Sequence, residues 1–139
     1  NPMGIVCGPK HPLSRRVQMP FEDLANQNFV VREQGSGTRQ AMERIFNGHN
    51  TPLQIAMEMP SNETIKQAVM AGMGLGFLSL RTVRHELSTG HMVRLDVQGL
   101  PHIGHWYITH RTQKKLAPAA IAFKEFVIEQ AKPMIEVWA

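Results

Sequence analysis

The stretch from Leu53 to Leu80 constrains the fold more than any other part of the chain. It contains three patterns in a row: LQIAMEM, PSNETIKQAVMAG and MGLGFLSL. The first alternates with a period of two, which predicts a strand. The second has apolar residues at helical spacing between Ser61, a typical N-cap, and Gly72, a typical C-terminal stop. The third is apolar on both faces, as a strand covered on both sides must be.

A strand, a helix and a strand in this order predict a right-handed crossover unit of an α/β sheet. In such sheets, ligands bind at the C-terminal ends of strands, beside helix N-termini. The turn at Ser61 is therefore the first candidate for a binding site.

The remaining patterns extend this unit to a whole α/β lobe. Strands are predicted at Met3–Cys7, Phe29–Val31, Met92–Val97 and Ile103–His110, and helices after Arg39, at Arg81–Thr89 and at Leu116–Gln130, with a helical turn at Phe21–Leu24. The sequence Lys132-Pro133 is expected to end the last helix. The resulting order β, β, α, β, α, β, α, β, β, α predicts a mixed, mostly parallel sheet of about five strands with helices on both faces.

The composition is typical of a globular domain, with 42% hydrophobic and 19% charged residues in 139. No apolar run approaches the roughly 20 residues of a membrane span, and no secretory leader pattern opens the chain. The net charge of +4 is too small and too scattered to indicate nucleic-acid binding. The single cysteine, Cys7, is interpreted as a core residue, and a lone cysteine favours a reducing compartment, the cytoplasm.

A second candidate site lies in the sequence REQGSGTR, residues 32–39, a glycine-rich turn between a strand and a helix. Unpaired backbone N–H groups and the positive end of the helix dipole favour a carboxylate or a phosphate at such a turn. Ser36 and Thr38 add hydroxyl donors. The alternative interpretation is plain helix capping, which is the commoner use of these residues.

Other patterns carry less weight. Ser36 has a glycine directly on each side, which is not the spacing of a serine-hydrolase elbow. The glycines within Gly72–Gly76 follow a helix and precede a strand, the reverse of a dinucleotide fingerprint. His102, His105 and His110 have no acidic or thiol partner nearby in sequence, so we interpret them as surface imidazoles. We therefore expect no catalytic residue, no metal and no cofactor.

Four motifs taken together resemble the effector-binding region of LysR-type transcriptional regulators over nearly the whole chain. They are KHPL at 10–13, FEDL at 21–24, EQGSGTR at 33–39, and SNETIKQAV with AGMGLG at 61–69 and 71–76. The third motif and the end of the central unit are most similar to regulators of Calvin-cycle carbon-fixation operons. The resemblance implies a periplasmic-binding-protein-like (type 2) lobe, with the effector held in a cleft between two lobes.

The same resemblance implies a domain plan. Residues 1–139 would form a single lobe, the second regulatory subdomain, in which 132–139 start the return to a first lobe that this sequence lacks. The apolar tail Ile135–Trp138 fits such a continuation. The N-terminal winged helix-turn-helix of the family is also absent from this sequence, so DNA would be bound only through that missing part. Self-association as a homodimer or tetramer is expected of the full-length protein, and no membrane contact is expected.

The resemblance also implies a set of site residues. Carrying the cleft of the family onto matching positions places these residues around the effector: Ser36, Gly37, Thr38, Met59, Pro60, Ser61 and Asn62, with Phe77 on the floor. The expected effector is a small anion: a phosphorylated metabolite, a nucleotide or a carboxylate. Its binding would shift the population of lobe angles, and with it the spacing of DNA-binding heads in an oligomer.

Three other functions stay open. A lobe of a periplasmic solute-binding protein has the same fold, although the missing leader and the lone cysteine count against it. A small serine hydrolase would need a histidine and an acid placed against Ser36, which sequence spacing cannot establish. A pure oligomerisation module would show no response to any metabolite.

Overall fold

A computed structural model describes residues 1–113 and 115–137. The strands are β1 (Pro2–Cys7), β2 (Asn28–Arg32), β3 (Gln54–Met59), β4 (Leu75–Ser79), β5 (Val93–Arg94) and β6 (His102–Ile103). The helices are α1 (Gly37–Gly48), α2 (Asn62–Met70), α3 (Arg84–Ser88) and α4 (Pro118–Val137), with short 3₁₀ turns at Pro12–Arg15 and Phe21–Leu24. The order of strands and α-helices is the order that the sequence predicts.

The six strands form one sheet in the order β3-β2-β4-β1-β5, and β6 also pairs with β1. Strand β2 pairs in parallel with β3 and β4, whereas β1 pairs antiparallel with β4, β5 and β6. Strand β1 therefore runs against the other strands of the described sheet, which confirms a mixed, mostly parallel sheet. Because α2 connects β3 to β4 across β2, the crossover unit is also confirmed.

Two apolar clusters cover the two faces of the sheet. On one face, Phe29 of β2 packs edge-on against Phe46 of α1, with ring centroids 5.2 Å apart. On the other face, the neighbouring residue Val30 packs with Ile65 of α2. Successive strand residues point to opposite faces, so α1 and α2 lie on opposite sides of the sheet. Cys7 is fully buried, and burial raises the pKa of its thiol to about 11, which confirms its predicted place in the core.

Strand β3 lies at the edge of the sheet, and this position explains an unexpected exposure. The alternation in LQIAMEM predicts a strand correctly. However, Ile55 is 43% exposed and Met57 is 36% exposed, and every residue of β3 is at least partly accessible. A register shift in β3 pairs Ile55 with Phe29 and Met57 with Val30, so the two exposed side chains lie on opposite faces of the sheet at its edge.

Several predicted elements need correction. The strand predicted at Met92–Val97 is limited to Val93–Arg94, and the helix predicted at Arg81–Thr89 to Arg84–Ser88. The strand predicted at Ile103–His110 is limited to His102–Ile103, because β6 pairs with Pro2 and Met3 and no described residue pairs beyond Gly104. The last helix does not end at Lys132-Pro133 but continues to Val137. One missing backbone donor is not sufficient to end this helix, although a proline inside a helix is unfavourable.

The chain divides into two compact units, Asn1–Gly104 and His105–Ala139. The first contains the whole sheet, and the second contains α4. Several large apolar side chains of the second unit are exposed, including Trp106, Tyr107, Phe123 and Phe126. That residues 1–139 belong to one lobe, with 132–139 as the return to another, stays a prediction; Trp138 and Ala139 lie outside the described residues. Within the described ranges, no helix reaches the length and apolarity of a membrane span.

Candidate functional site

The N-terminus of α1 is open. A turn leads from Glu33 to Ser36, whose N–H donates to the Glu33 carbonyl oxygen at 3.2 Å, and Gly35 has a φ of +88°, which glycine adopts readily. Ser36 is the N-cap, but its side chain makes no capping hydrogen bond. The Gln40 N–H donates to the Ser36 carbonyl, whereas the amides of residues 37–39 have no acceptor among the described residues. Three N–H groups therefore remain available to a ligand.

The N-terminus of α2 is capped by its own side chains. The Ser61 hydroxyl oxygen accepts from the Thr64 N–H at 3.1 Å, and the Thr64 hydroxyl donates to the Ser61 carbonyl at 2.9 Å. Glu63 adds a negative charge in the first turn, where it compensates the positive end of the helix dipole. The first turn of α1 contains no acidic residue. The predicted capping role of Ser61 is confirmed.

Both helices begin at the same edge of the sheet, although they lie on opposite faces. Arg32 and Met59, which end β2 and β3, are register partners, and the Glu33 N–H donates to the Met59 carbonyl at 3.2 Å. The two starts are joined directly, because Arg32 Nη1 donates to Asn62 Oδ1 at 2.9 Å. Adjacent parallel strands whose helices leave to opposite faces form a topological switch point, where α/β proteins bind ligands.

Arg32 provides positive charge at this edge. Its side chain is 20% exposed, and Nε and Nη2 donate to the two carboxylate oxygens of Glu33 at 2.7 and 2.8 Å. The hydrogen bonds from Arg32 hold the pKa of the Glu33 carboxyl below its usual range. Because such bidentate pairs are the strong form of the arginine–carboxylate interaction, an incoming anion must replace Glu33 to bind the Arg32 guanidinium in the same way.

The predicted site residues, with one exception, lie at this edge. Ser36, Gly37 and Thr38 form the start of α1, and the segment Met59–Asn62 joins β3 to α2. The exception is Phe77 of β4, which is 3% exposed and belongs to the apolar cluster under α1. Contact of these residues with an effector stays a prediction.

Interpretation of the sequence missed the side chains of Arg32, Glu33 and Arg39 as components of this edge. Arg32 bonds Asn62, which lies 30 positions further along the chain, so its role depends on the pairing of β2 with β3. A signal was present nonetheless. The strand NFVVR is apolar until its last residue, and a charged residue at the C-terminal end of a buried strand lies where ligands bind.

A separate open groove of about 400 Å³ runs beside α2. It is lined by Met59, Glu63, Thr64, Gln67, Ala68, Ala71 and Met73. Its volume falls in the range of small-molecule pockets. It shares only Met59 with the predicted site, and its one charged lining residue is acidic, so it does not suit a small anion.

The surroundings of Ser36 and of the possible metal-ligating side chains are given by the described residues. The Ser36 hydroxyl hydrogen-bonds no histidine in the described part of the chain, so the pair that a serine nucleophile needs is not formed there. No group of three or more metal-ligating His, Cys, Asp or Glu side chains occurs among residues 1–113 and 115–137.

Comparison with known proteins finds relatives that agree with one another in family. The family model described as the LysR substrate binding domain matches residues 1–132. The RuBisCO operon transcriptional regulator of Allochromatium vinosum is 46% identical over 134 residues, which cover 96% of this chain and 44% of that protein. The HTH-type transcriptional regulator CbbR of Rhodospirillum rubrum is 46% identical over 132 residues, which cover 95% of this chain and 44% of that protein. The chain thus spans less than half the length of these relatives.

Solved structures share the fold. The regulatory domain of Synechocystis PCC6803 CcmR, in complex with 2-PG, aligns with a TM-score of 0.84 at 32% identity, over 93% of this chain and 62% of that one. The effector binding domain of QuiR, in complex with shikimate, aligns with a TM-score of 0.75 at 17% identity, over 94% of this chain and 61% of that one. These likenesses confirm the predicted periplasmic-binding-protein-like lobe. Together with the family match, they establish that the chain belongs to the LysR substrate-binding domain family.

Proposed function

We propose that the chain is the effector-sensing lobe of a LysR-type bacterial transcriptional regulator of the carbon-fixation branch. Family membership and 46% identity to a RuBisCO operon transcriptional regulator support this function. The full-length protein would bind DNA through an N-terminal segment, self-associate and act in the cytoplasm, and the lobe itself would catalyse no reaction. These properties are proposals for the whole protein, of which the chain covers a part.

We propose a small anionic effector, and the observation that carries this class is the open start of α1 beside Arg32. Three amides without an acceptor in the described part of the chain lie at the positive end of a twelve-residue helix. The Arg32 guanidinium, the Ser36 hydroxyl and the Thr38 hydroxyl lie at the same edge. Phosphate and carboxylate oxygens match such donors. The 2-PG complex of the related CcmR domain is consistent with an effector site in this family.

The residues that we propose to line the effector cleft have two roles, contact with the anion and support of the cleft. Ser36, Gly37 and Thr38 would donate to the anion, and the segment Met59–Asn62 would form the opposite wall. Phe77, which is 3% exposed, would support the cleft from within the core. Because the Ser61 hydroxyl already caps α2, we expect it to contribute less to affinity than Ser36.

The proposed mechanism requires a second lobe. Phe123, Phe126 and Ile128 of α4 are 63%, 52% and 61% exposed, and such a group of apolar side chains is typical of a surface that another part of the protein covers. An effector bound between two lobes favours one lobe angle, by no more than its difference in affinity for the two arrangements. The favoured angle would then set the spacing of DNA-binding heads.

The test is a thermal-shift screen of the full-length regulator against sugar phosphates, nucleotides, 2-PG and small carboxylates. A ligand at a hundred times its Kd stabilises the native state by about 2.7 kcal/mol. Thr38→Val and Ser36→Ala should reduce the shift given by a genuine effector. The matched control, Ser88→Ala, removes an exposed hydroxyl on α3 and should leave the shift unchanged.

Three outcomes would contradict the proposal. If both variants keep the wild-type shift, the site is elsewhere. If the complete gene encodes an export signal in place of a helix-turn-helix, the protein is a solute-binding protein. If the oligomer forms normally and no metabolite in the screen changes its stability, the lobe is an assembly module.

A further inference from the structure

Arg39 occupies an unusual position at the start of α1. Among the described residues it is the only charged residue that is buried, with 5% of its side chain exposed. It lies in the first turn of the helix, where a positive charge is unfavourable because it meets the positive end of the helix dipole. Burial of the charge adds a desolvation penalty. Both effects are unfavourable for an arginine at this position, so the contacts of its side chain must provide a compensating benefit.

The Arg39 side chain connects three elements. Its Nη1 donates to the carbonyl oxygen of Arg32, the last residue of β2, at 3.0 Å and lies 3.4 Å from Glu58 Oε2 of β3. Its Nε donates to Glu43 Oε1 on the next turn of α1 at 2.5 Å. The carboxylates of Glu43 and Glu58 are 42% and 48% exposed, so these ion pairs add little stability.

The bond to Arg32 closes a loop. It joins the strand end at residue 32 to the helix at residue 39, and the open amides of residues 37 and 38 lie between these points. This segment contains Gly35 and Gly37, and a Cβ added at either position would meet no neighbouring atom. No close packing therefore surrounds these two glycines, and the Arg39 guanidinium adds a second constraint to the hydrogen bond between the Ser36 N–H and the Glu33 carbonyl within the turn.

We propose that Arg39 is a positioning residue that holds residues 33–38 in the geometry in which their N–H and hydroxyl groups bind an anion. This inference rests on the proposed function. Arg39 does not touch the anion in this proposal; it acts through the Arg32 carbonyl and the first turn of α1.

The test compares Arg39→Gln and Arg39→Lys with Lys66→Gln in the full 139-residue chain. Lys66 is a matched control because it is 12% exposed and also joins two elements, α2 and α3, through its ion pair with Glu86, besides a pair with Glu63 within α2. Amide resonances of Gly35, Gly37 and Thr38 report the geometry of the turn without any ligand. Titration with inorganic phosphate gives an affinity, and urea unfolding gives the stability of each variant.

We expect Arg39→Gln to shift or broaden these three resonances and to weaken phosphate binding about tenfold, as for the loss of one well-placed hydrogen bond to a charged group. Arg39→Lys should be intermediate, because an ammonium cannot reach Arg32 and Glu43 as a planar fork does. Lys66→Gln should lower the stability and leave the resonances and the affinity unchanged.

Two results would overturn the inference: wild-type resonances of residues 35–38 in both Arg39 variants, or an equal loss of phosphate affinity in Lys66→Gln. If Arg39→Gln does not fold, the amide resonances and the phosphate affinity of Arg39→Lys alone test the inference. Failure of the proposed function is distinguishable, because phosphate would then not bind the wild type while the ligand-free resonances still report on Arg39.

Discussion

The two helix starts at the edge of the sheet have the same local architecture and opposite chemistry. Each follows a parallel strand, and each carries a serine at the N-cap. Ser61 bonds the first turn of α2, and Glu63 compensates the dipole there. Ser36 makes no such bond, and the first turn of α1 contains the basic residue Arg39, whereas that of α2 contains the acidic residue Glu63.

The difference indicates a division of roles between the two starts. The start of α2 satisfies its Thr64 N–H with the Ser61 hydroxyl and so stabilises the fold. An open start leaves such N–H groups unsatisfied within the chain and is compatible with a ligand that satisfies them. Substitutions at α2 should therefore change stability, and those at α1 should change affinity.

The largest expected effect comes from Arg32→Met. It removes the guanidinium while keeping an apolar stem of similar length, and a hydrogen bond to a charged group contributes about 1.5–3 kcal/mol, or about 10- to 150-fold in affinity. Isothermal titration with an effector identified in the screen measures the change. Arg44→Gln, which removes an exposed positive charge from α1, is the control. Equal affinity of Arg32→Met and the wild type would remove Arg32 from the site.

The second-largest expected effect distinguishes the role of Ser36 from that of Ser61. Ser36→Ala should weaken effector binding about tenfold if its hydroxyl donates to an anion, and it should leave the free energy of unfolding almost unchanged because no capping bond is lost. Ser61→Ala should lower the free energy of unfolding by about 1 kcal/mol with a smaller effect on affinity. Urea unfolding and titration of both variants test this crossing pattern. A loss of stability in Ser36→Ala together with a loss of affinity in Ser61→Ala would contradict the division of roles between the two helix starts.

A smaller effect is expected from a new cap. Ser36→Asp places a carboxylate at the open start, where it should raise stability by about 0.3–1 kcal/mol and exclude an anionic effector. Ser61→Asp, at a start that is already capped and carries Glu63, should gain less. If thermal unfolding shows the same gain at both positions, the start of α1 is not open in solution.

The smallest effect concerns pH. Hydrogen bonds from Gln67 and then Lys66 hold the pKa of the Glu63 carboxyl below its usual range. A carboxyl with a lowered folded pKa adds stability above its unfolded pKa of about 4.3, and this stability is lost as the pH falls through the folded value. Glu63→Gln should therefore be less stable than the wild type at neutral pH, and the two should converge in acid. A constant difference from pH 7 down to acid would exclude this carboxyl as the cause.

Features that depend on neighbouring residues were predictable from the sequence. The cap at Ser61 spans three positions, Gly72 ends its helix turn with a φ of +79°, and the order of strands and helices follows from local patterns. Features that depend on strand pairing were not. The pattern at Ile103–His110 is typical of a strand, but a strand needs a partner, and pairing of β6 stops at Ile103.

The candidate site was predictable as a place but not as a set of contacts. The glycine-rich turn and the Ser61 turn each indicated a helix start, and both lie at one edge as expected. Two contacts depend on the register of β2 with β3: the hydrogen bond between Arg32 and Asn62, and the hydrogen bond from Arg39 to the Arg32 carbonyl. Nor does the sequence distinguish a serine that caps from one that does not, since both precede a helix.

The position of β3 has a practical consequence for protein production. Its outer backbone edge has no partner strand among residues 1–113 and 115–137, Ile55 and Met57 are accessible, and its single charged side chain, Glu58, lies toward Arg39. Unprotected edges of this kind template intermolecular strand addition, and lysine is a common natural deterrent. Solubility engineering of the lobe should therefore begin with Ile55→Lys, far from the glycine-rich turn in sequence, so that concentrated samples stay monodisperse without altering the ligand chemistry.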